Sequence, residues 1–200
     1  MRDFKKDKIP ALKNEIAEKL SHFLKKSGDF YLEIGCGVGL HPILFSKENP
    51  HFNLIAIERT EEKFNKFWGR YTNHKEPSHL LPLHADAISV VTHGIPANSL
   101  KKIFILYPNP EPGNKNQRWI NMPFMSELIS KLKDFGEIEI RTNMTDYADE
   151  IKTGYQNHPL VLKSFRKIEL NEQLKTHFER KYIQRGENCF EIVLGVKKNE

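Results

Sequence analysis

A nearly continuous apolar run, Phe30-Tyr31-Leu32-Glu33-Ile34, leads straight into glycines at every second position, Gly35, Gly37 and Gly39, and helix-forming residues resume at Leu40. Such a run suits a strand covered on both faces, and the glycines let the chain turn sharply at its end. A strand followed by a helix, when the pattern repeats along the chain, argues for a mostly parallel sheet of the α/β class.

The rest of the chain repeats this alternation. The apolar runs predict further strands over 53–58, 79–84, 102–107 and 136–142, with helices over 40–46, 61–71, 123–132 and 146–156. An amphipathic helix begins after Pro10, because Leu12, Ile16, Leu20, Phe23 and Leu24 recur at three- and four-residue spacing. Residues 160–170 and 188–196 read as two final strands forming a hairpin. The expected fold is a mostly parallel seven-stranded sheet with an antiparallel C-terminal strand and helices on both faces. Residues 1–9 read as a mobile basic arm and 10–200 as one domain.

The two cysteines, Cys36 and Cys189, stand far apart, and the nine histidines lack ligand spacing, so neither a disulfide framework nor a metal site is expected. No apolar stretch approaches the roughly 20 residues that span a bilayer, and a reducing cytoplasm is the expected location. The net charge of +5 tolerates a polyanionic partner without requiring one.

In sheets of this class ligands gather at the carboxyl ends of the strands, where strand order reverses. A dinucleotide fingerprint would carry its third glycine at position 40, which is leucine here. The spacing G-x-G-x-G, with Glu33 two residues ahead, instead favours S-adenosylmethionine, which has no pyrophosphate to cradle but has an amino group for a carboxylate to hold. The plainer alternative is a glycine turn without a ligand. Glu58 ends the second strand, where an acid can accept both ribose hydroxyls or simply be solvated. Asp86-Ala87 follows the third strand, where a carboxylate can accept from the adenine amino group or cap a helix. Three acids and three glycines, each at a strand end, favour the cofactor.

After the fourth strand the prolines of Pro108-Asn109-Pro110-Glu111-Pro112 fix an extended turn and hold Asn109 at the strand mouth. Further on come Phe124, Thr142, Tyr147-Ala148 and Thr176-His177-Phe178-Glu179. On these motifs, together with Glu33–Gly39, Ile57-Glu58 and Asp86-Ala87, the chain resembles the bacterial tRNA (guanine-N(7)-)-methyltransferase family from about residue 29 to residue 196. The resemblance implies a Rossmann-like class I methyltransferase fold that transfers methyl from S-adenosylmethionine to a guanosine in the tRNA variable loop. It places Glu33, Gly35, Gly37, Gly39, Glu58, Asp86, Ala87 and Asn109 on the cofactor. It places Asn109, Asn143 and Glu179 at the reacting centre, and Lys115, Arg118, Asn143, Thr176, Phe178 and Glu179 on the substrate. It implies a tRNA partner, no metal, and a monomer or homodimer.

The substrate half departs from that family. Its Pro-Asp-Pro-Trp loop reads Pro108-Asn109-Pro110-Glu111 here, Gly113 replaces a substrate-binding lysine, and its Thr-Asp after strand five is Thr142-Asn143. Guanine N7 is a bare acceptor, so its methylation needs no general base, only positioning and carboxylates near the cationic product. A charge-assisted hydrogen bond contributes about 1.5–3 kcal/mol and a neutral one about 0.5–1.5, so two asparagines in place of aspartates would slow the reaction. Phosphate contacts would come from Lys5, Lys6 and Lys8, from Lys115 and Arg118, and from Arg180, Lys181 and Arg185. Two other readings remain open: an enzyme of the same fold acting on another nucleobase, amine or small molecule, and a non-catalytic RNA-binding relative.

Overall fold

Every residue of β1 (Phe30–Ile34) and of β2 (Asn53–Glu58) is buried, as parallel strands covered on both faces require. The computed structural model describes residues 3–108, 114–169, 172 and 174–196. Its other strands are β3 (Leu80–His84), β4 (Leu100–Leu106), β5 (Leu132–Thr142), β6 (Leu160–Lys167) and β7 (Phe190–Val196). They form one seven-stranded sheet in the order β3-β2-β1-β4-β5-β7-β6. All neighbours are parallel except β7, which runs antiparallel to both β5 and β6. Pro82 lies in β3, an edge strand, where its missing N–H costs least.

The helices are α1 (Asn14–Phe23), α2 (Leu40–Glu48), α3 (Glu61–Asn73), α4 (Ala87–Gly94), α5 (Phe124–Ser130), α6 (Thr145–Gly154) and α7 (His177–Gln184). On one face Leu20, Phe23, Val90, Val91, Phe124, Leu128, Tyr147 and Ile151 of α1, α4, α5 and α6 share a core with alternate residues of the strands. On the other, Ile43 of α2 and Phe67 of α3 pack on Tyr31, Leu54, Ala56 and Phe104. A third cluster of Ile168, Ile183 and Cys189 seats α7 beside β7. This is the expected architecture.

Two helices escaped the sequence reading. α4 is rich in β-branched residues, and its start is marked by Asp86, whose side chain accepts from the Ser89 N–H. α7 is short and polar, yet Thr176 caps it by accepting from the Glu179 N–H. The Thr-x-x-Glu spacing was the available signal for it. Because α7 stands between β6 and β7 in the chain, those strands pair antiparallel but are not a tight hairpin, which corrects that expectation. The described part of the expected mobile arm is also docked: Phe4 lies edge-on to Phe124 at 5.4 Å, and Lys6 meets the buried Glu127 at 2.6 Å. His93 bonds the Ile9 carbonyl, and the Ser89 hydroxyl donates to that of Pro10.

The chain passes from β1 outward to β2 and β3, then returns across the sheet to β4 on the far side of β1. Strand order therefore reverses between β1 and β4, and the carboxyl ends of those strands form the crevice where ligands bind in such sheets. Gly39 closes this region: its φ is +77°, and a Cβ there would stand 1.9 Å from the Phe67 ring. Gly39→Ala should therefore cost on the order of 2 kcal/mol or more in urea unfolding. In a Phe67→Ala background the same change should cost clearly less, because the two positions share one space.

Candidate active site

The turn after β1 supplies the first wall. Gly35 and Gly37 have φ of +73° and +60°, and a Cβ at either would meet none of the described residues within 4 Å. The loop is thus open on the side a ligand would approach. It is shaped from below by Glu58, whose two oxygens accept from the Gly37 N–H at 2.8 Å and the Thr60 N–H at 2.7 Å. Glu33 is only 2% exposed, and among the described residues its one hydrogen-bond partner is Nδ1 of His41 at 2.7 Å. Asp86 is exposed at the start of α4 and Ala87 is half-buried beside it. The structure therefore brings Glu33, Gly35, Gly37, Gly39, Glu58, Asp86 and Ala87 to the ends of three adjacent strands, with the Asp86 side chain also serving as the helix cap. Burial, with Glu33 and Glu58 nearby, pushes the Cys36 thiol well up, so it is a filler in the turn rather than a nucleophile.

The second wall is α7. Glu179 is fully enclosed, at 0% exposure. It accepts from Arg141 Nη1 at 2.8 Å, from the Tyr107 hydroxyl at 2.8 Å and from the Lys175 N–H at 2.5 Å. Tyr107 sits just past β4 with φ +51°, a left-handed conformation uncommon for an aromatic residue. Burial, followed by the charge of Glu179, drives its phenol far upward, so it stays a donor at any physiological pH. Arg141 also donates to Glu139 at 2.9 Å and to Glu191. Lys175 and Lys102 approach Glu139 at 2.6 and 2.9 Å. Thus α7 is fastened to the ends of β4 and β5, next to the crevice, by a buried ionic cluster. Tyr107, Arg141 and Lys175 were not singled out from sequence. Only the place of Tyr107 and Arg141 at strand ends pointed to them.

A sequence model of the family described as "Putative methyltransferase" matches residues 11–192. The chain belongs to this family. It is 25% identical over 186 residues to a tRNA (guanine-N(7)-)-methyltransferase of Campylobacter jejuni, covering 93% of this chain and 46% of that protein. It therefore spans about half the length of those relatives. A namesake from Nitrosospira multiformis is 23% identical over 90% of this chain and 80% of its own length. Among solved structures, the 16S rRNA methyltransferase KamB superposes with a TM-score of 0.73 at 15% identity, covering 99% of this chain and 100% of that one. At that identity the likeness concerns the fold alone.

The remaining expected site residues of this methyltransferase-family chain divide. Phe178 is 43% exposed and stacks on Tyr182 with ring centres 6.2 Å apart, while Thr176 is half-buried in its cap. Lys115 is exposed. Asn143 donates to Glu187, just beyond α7, at 2.8 Å. Asn109 lies outside the described residues. Arg118 is corrected: at 2% exposure it is buried, donating to Asp146 at 2.8 Å and to Glu150 and lying over the Tyr147 ring. Two carboxylates engage its terminal nitrogens and an aromatic ring lies against it, so it clamps α6 instead of reaching a phosphate. Glu179 is likewise enclosed by its partners and not presented outward. No helix among the described residues is long and apolar enough to cross a membrane, and none of their His, Cys, Asp and Glu side chains form a group of three or more placed to hold a metal ion.

Replacing Arg141 by methionine would leave Glu139, Glu179 and Glu191 without their shared cation, and should cost about 3–5 kcal/mol in urea unfolding. Burial alone would raise the Glu139 carboxyl, but Lys175, Lys102 and Arg141 together hold it well below the ordinary 4.5. A carboxyl lowered on folding stabilises the fold above 4.5 and loses that contribution as pH falls beneath it. Glu139→Gln should accordingly flatten the acid limb of the stability curve by up to about 1.4 kcal/mol per pH unit, measured between about pH 3 and about pH 7.

Proposed function

We propose that this protein methylates tRNA at guanine N(7), using S-adenosylmethionine, in the cytoplasm. The observation that carries the reading is the docking of α7, with its Thr176–Glu179 cap, beside the open glycine turn at the point where strand order reverses. A generic α/β domain has no need of a fastened polar helix at that place.

The residues fit such a cofactor. Gly35 and Gly37 leave open space along their backbone, Glu58 holds that backbone in place, and the exposed Asp86 stands at the next strand end. Glu33 would hold the ammonium of the methionyl part, Glu58 the ribose hydroxyls through its remaining lone pairs, and Asp86 with Ala87 the adenine edge. When bound, S-adenosylmethionine would supply an electrophilic methyl group.

On the acceptor side, N7 presents a free lone pair and loses no proton, so the protein's task is alignment. Phe178 offers the exposed aromatic face against which an unstacked base can lie. Arg141 and Tyr107 keep Glu179, and with it the start of α7, in one position. Asn143 is a neutral amide already paired with Glu187, so it contributes placement and not the full negative charge that would favour a cationic product. Slow turnover is the expected consequence. Lys115, Arg180 and Lys181 are exposed and would supply phosphate contacts that weaken with salt.

The test is methyl transfer from labelled S-adenosylmethionine to tRNA lacking 7-methylguanosine, with the nucleosides identified by mass spectrometry. Labelled 7-methylguanosine is the expected product. Absence of label, with the cofactor's demethylated product still bound in calorimetry, would overturn the tRNA assignment and direct the search to another nucleobase, an amine or a small molecule. Phe178→Ala should weaken tRNA binding by about 1–3 kcal/mol, the worth of one base–aromatic stack, and leave cofactor affinity unchanged.

A further inference from the structure

Glu33 poses a question the reading above leaves open. It is a buried carboxylate at the end of β1, and among the described residues His41 is the sole hydrogen-bond donor that meets it. Glu58, one strand over, has two donors, and Glu179 has three. A carboxylate taken from water with a single partner is under-compensated and favours a site where a cation completes it.

His41 is itself 4% exposed and held from several sides. Its ring stands edge-on to Phe104 at 4.9 Å and tilted against Phe45 at 5.7 Å. Nδ1 is the ring atom that faces Glu33, and paired with a carboxylate, which only accepts, it is the donor. The imidazole lies in the first turn of α2, immediately past the glycine turn.

We infer that His41 is a positioning residue for the cofactor: it fixes one oxygen of Glu33 so that the other faces the ammonium of the ligand's amino-acid part. The inference rests on the proposed cofactor reading and adds to it the device that orients Glu33. Two aromatic rings fix the imidazole, the imidazole fixes the carboxylate, and the carboxylate selects a ligand that carries a positive amine. Nothing in the sequence marks position 41, because a histidine in an apolar helix turn ordinarily reads as core.

The substitutions are sterically feasible. His41 borders a small cavity lined also by Leu44, Phe45, Glu48, Leu174 and Lys175. Phenylalanine there keeps the ring and removes the N–H. Asparagine places an amide N–H at nearly the same distance from the backbone.

Calorimetry with two ligands tests the inference: S-adenosylhomocysteine, which carries the ammonium, and 5′-methylthioadenosine, which lacks the amino-acid part. His41→Phe should weaken S-adenosylhomocysteine about tenfold and leave 5′-methylthioadenosine within about twofold of the parent. His41→Asn should restore most of the loss. In a Glu33→Gln background the His41→Phe change should have little further effect. Equal weakening of both ligands would reduce His41 to a structural support of the turn and overturn the inference, as would no effect on either. A parent protein that binds neither ligand would instead sink the cofactor reading and this inference with it, so the two failures are told apart before any variant is made. Thermal melting of each variant checks that it folds.

Discussion

One guanidinium, Arg141, holds three carboxylates from three different elements in a space water does not reach: Glu139 on its own strand, Glu191 on β7 and Glu179 on α7. The C-terminal half of the protein takes its geometry from that arrangement. Buried ion clusters contribute little net stability, because the desolvation cost offsets most of the Coulomb gain. They are intolerant of rearrangement, however. Sliding α7 by one turn would pull Glu179 from Arg141 and from the Tyr107 hydroxyl together, leaving a buried charge without its cation. The apolar contacts of α7, through Ile183 with Ile168 and Cys189, are few and would not fix its position alone. The position of the helix is therefore set by charge, and its attachment by packing.

The same cluster reaches the mouth of the sheet through Tyr107. Its amide continues the ladder by donating to the Arg141 carbonyl at 2.8 Å, and its backbone then turns through a left-handed conformation. A non-glycine residue there costs on the order of 1 kcal/mol, and the hydroxyl bond to Glu179 is what holds it. The chain thus leaves β4 with its direction prescribed by a side-chain contact on a helix about seventy residues later in sequence. Pro108 then stiffens the exit, since the ring fixes its own φ.

Most of the sheet was legible in the sequence because parallel strands are buried on both faces and read as apolar runs. The bounds of β1 and β2 were anticipated to the residue on that basis. β5 was placed four residues late, because Lys133, Asp134 and Gly136 disguise its irregular beginning, where the pairing with β4 shifts register. α4 was missed because Val90, Val91 and Thr92 favour strands locally, and packing against α1 and α5 overrides that preference. On the site, the cofactor side was readable because glycine spacing and acids at strand ends are local signals. The substrate side was not, because its geometry depends on contacts between residues far apart in the chain. Arg118 shows why: a lone arginine after a polar loop looks like a phosphate ligand until Asp146 and Glu150, one turn apart on α6, are seen to enclose it.

Glu33 and Glu58 look interchangeable in sequence, an acid at the end of each of two neighbouring strands, yet the structure gives them different tasks. Glu58 spends both oxygens on backbone N–H groups of the turn that a ligand must approach, so the turn is shaped before anything binds and less ordering remains to be done on binding. Its charge is spread over two donors and needs no further cation. Among the described residues Glu33 has one donor, a clamped imidazole, and it lies deeper. A crevice with one satisfied and one under-satisfied carboxylate discriminates by charge as well as by shape: neutral nucleosides can use the first, and only a ligand bearing a cation gains from the second. Under the proposed reading, that asymmetry would separate a pocket for an adenosyl amino acid from one for an adenine nucleotide, whose phosphates would meet a buried negative charge at Glu33.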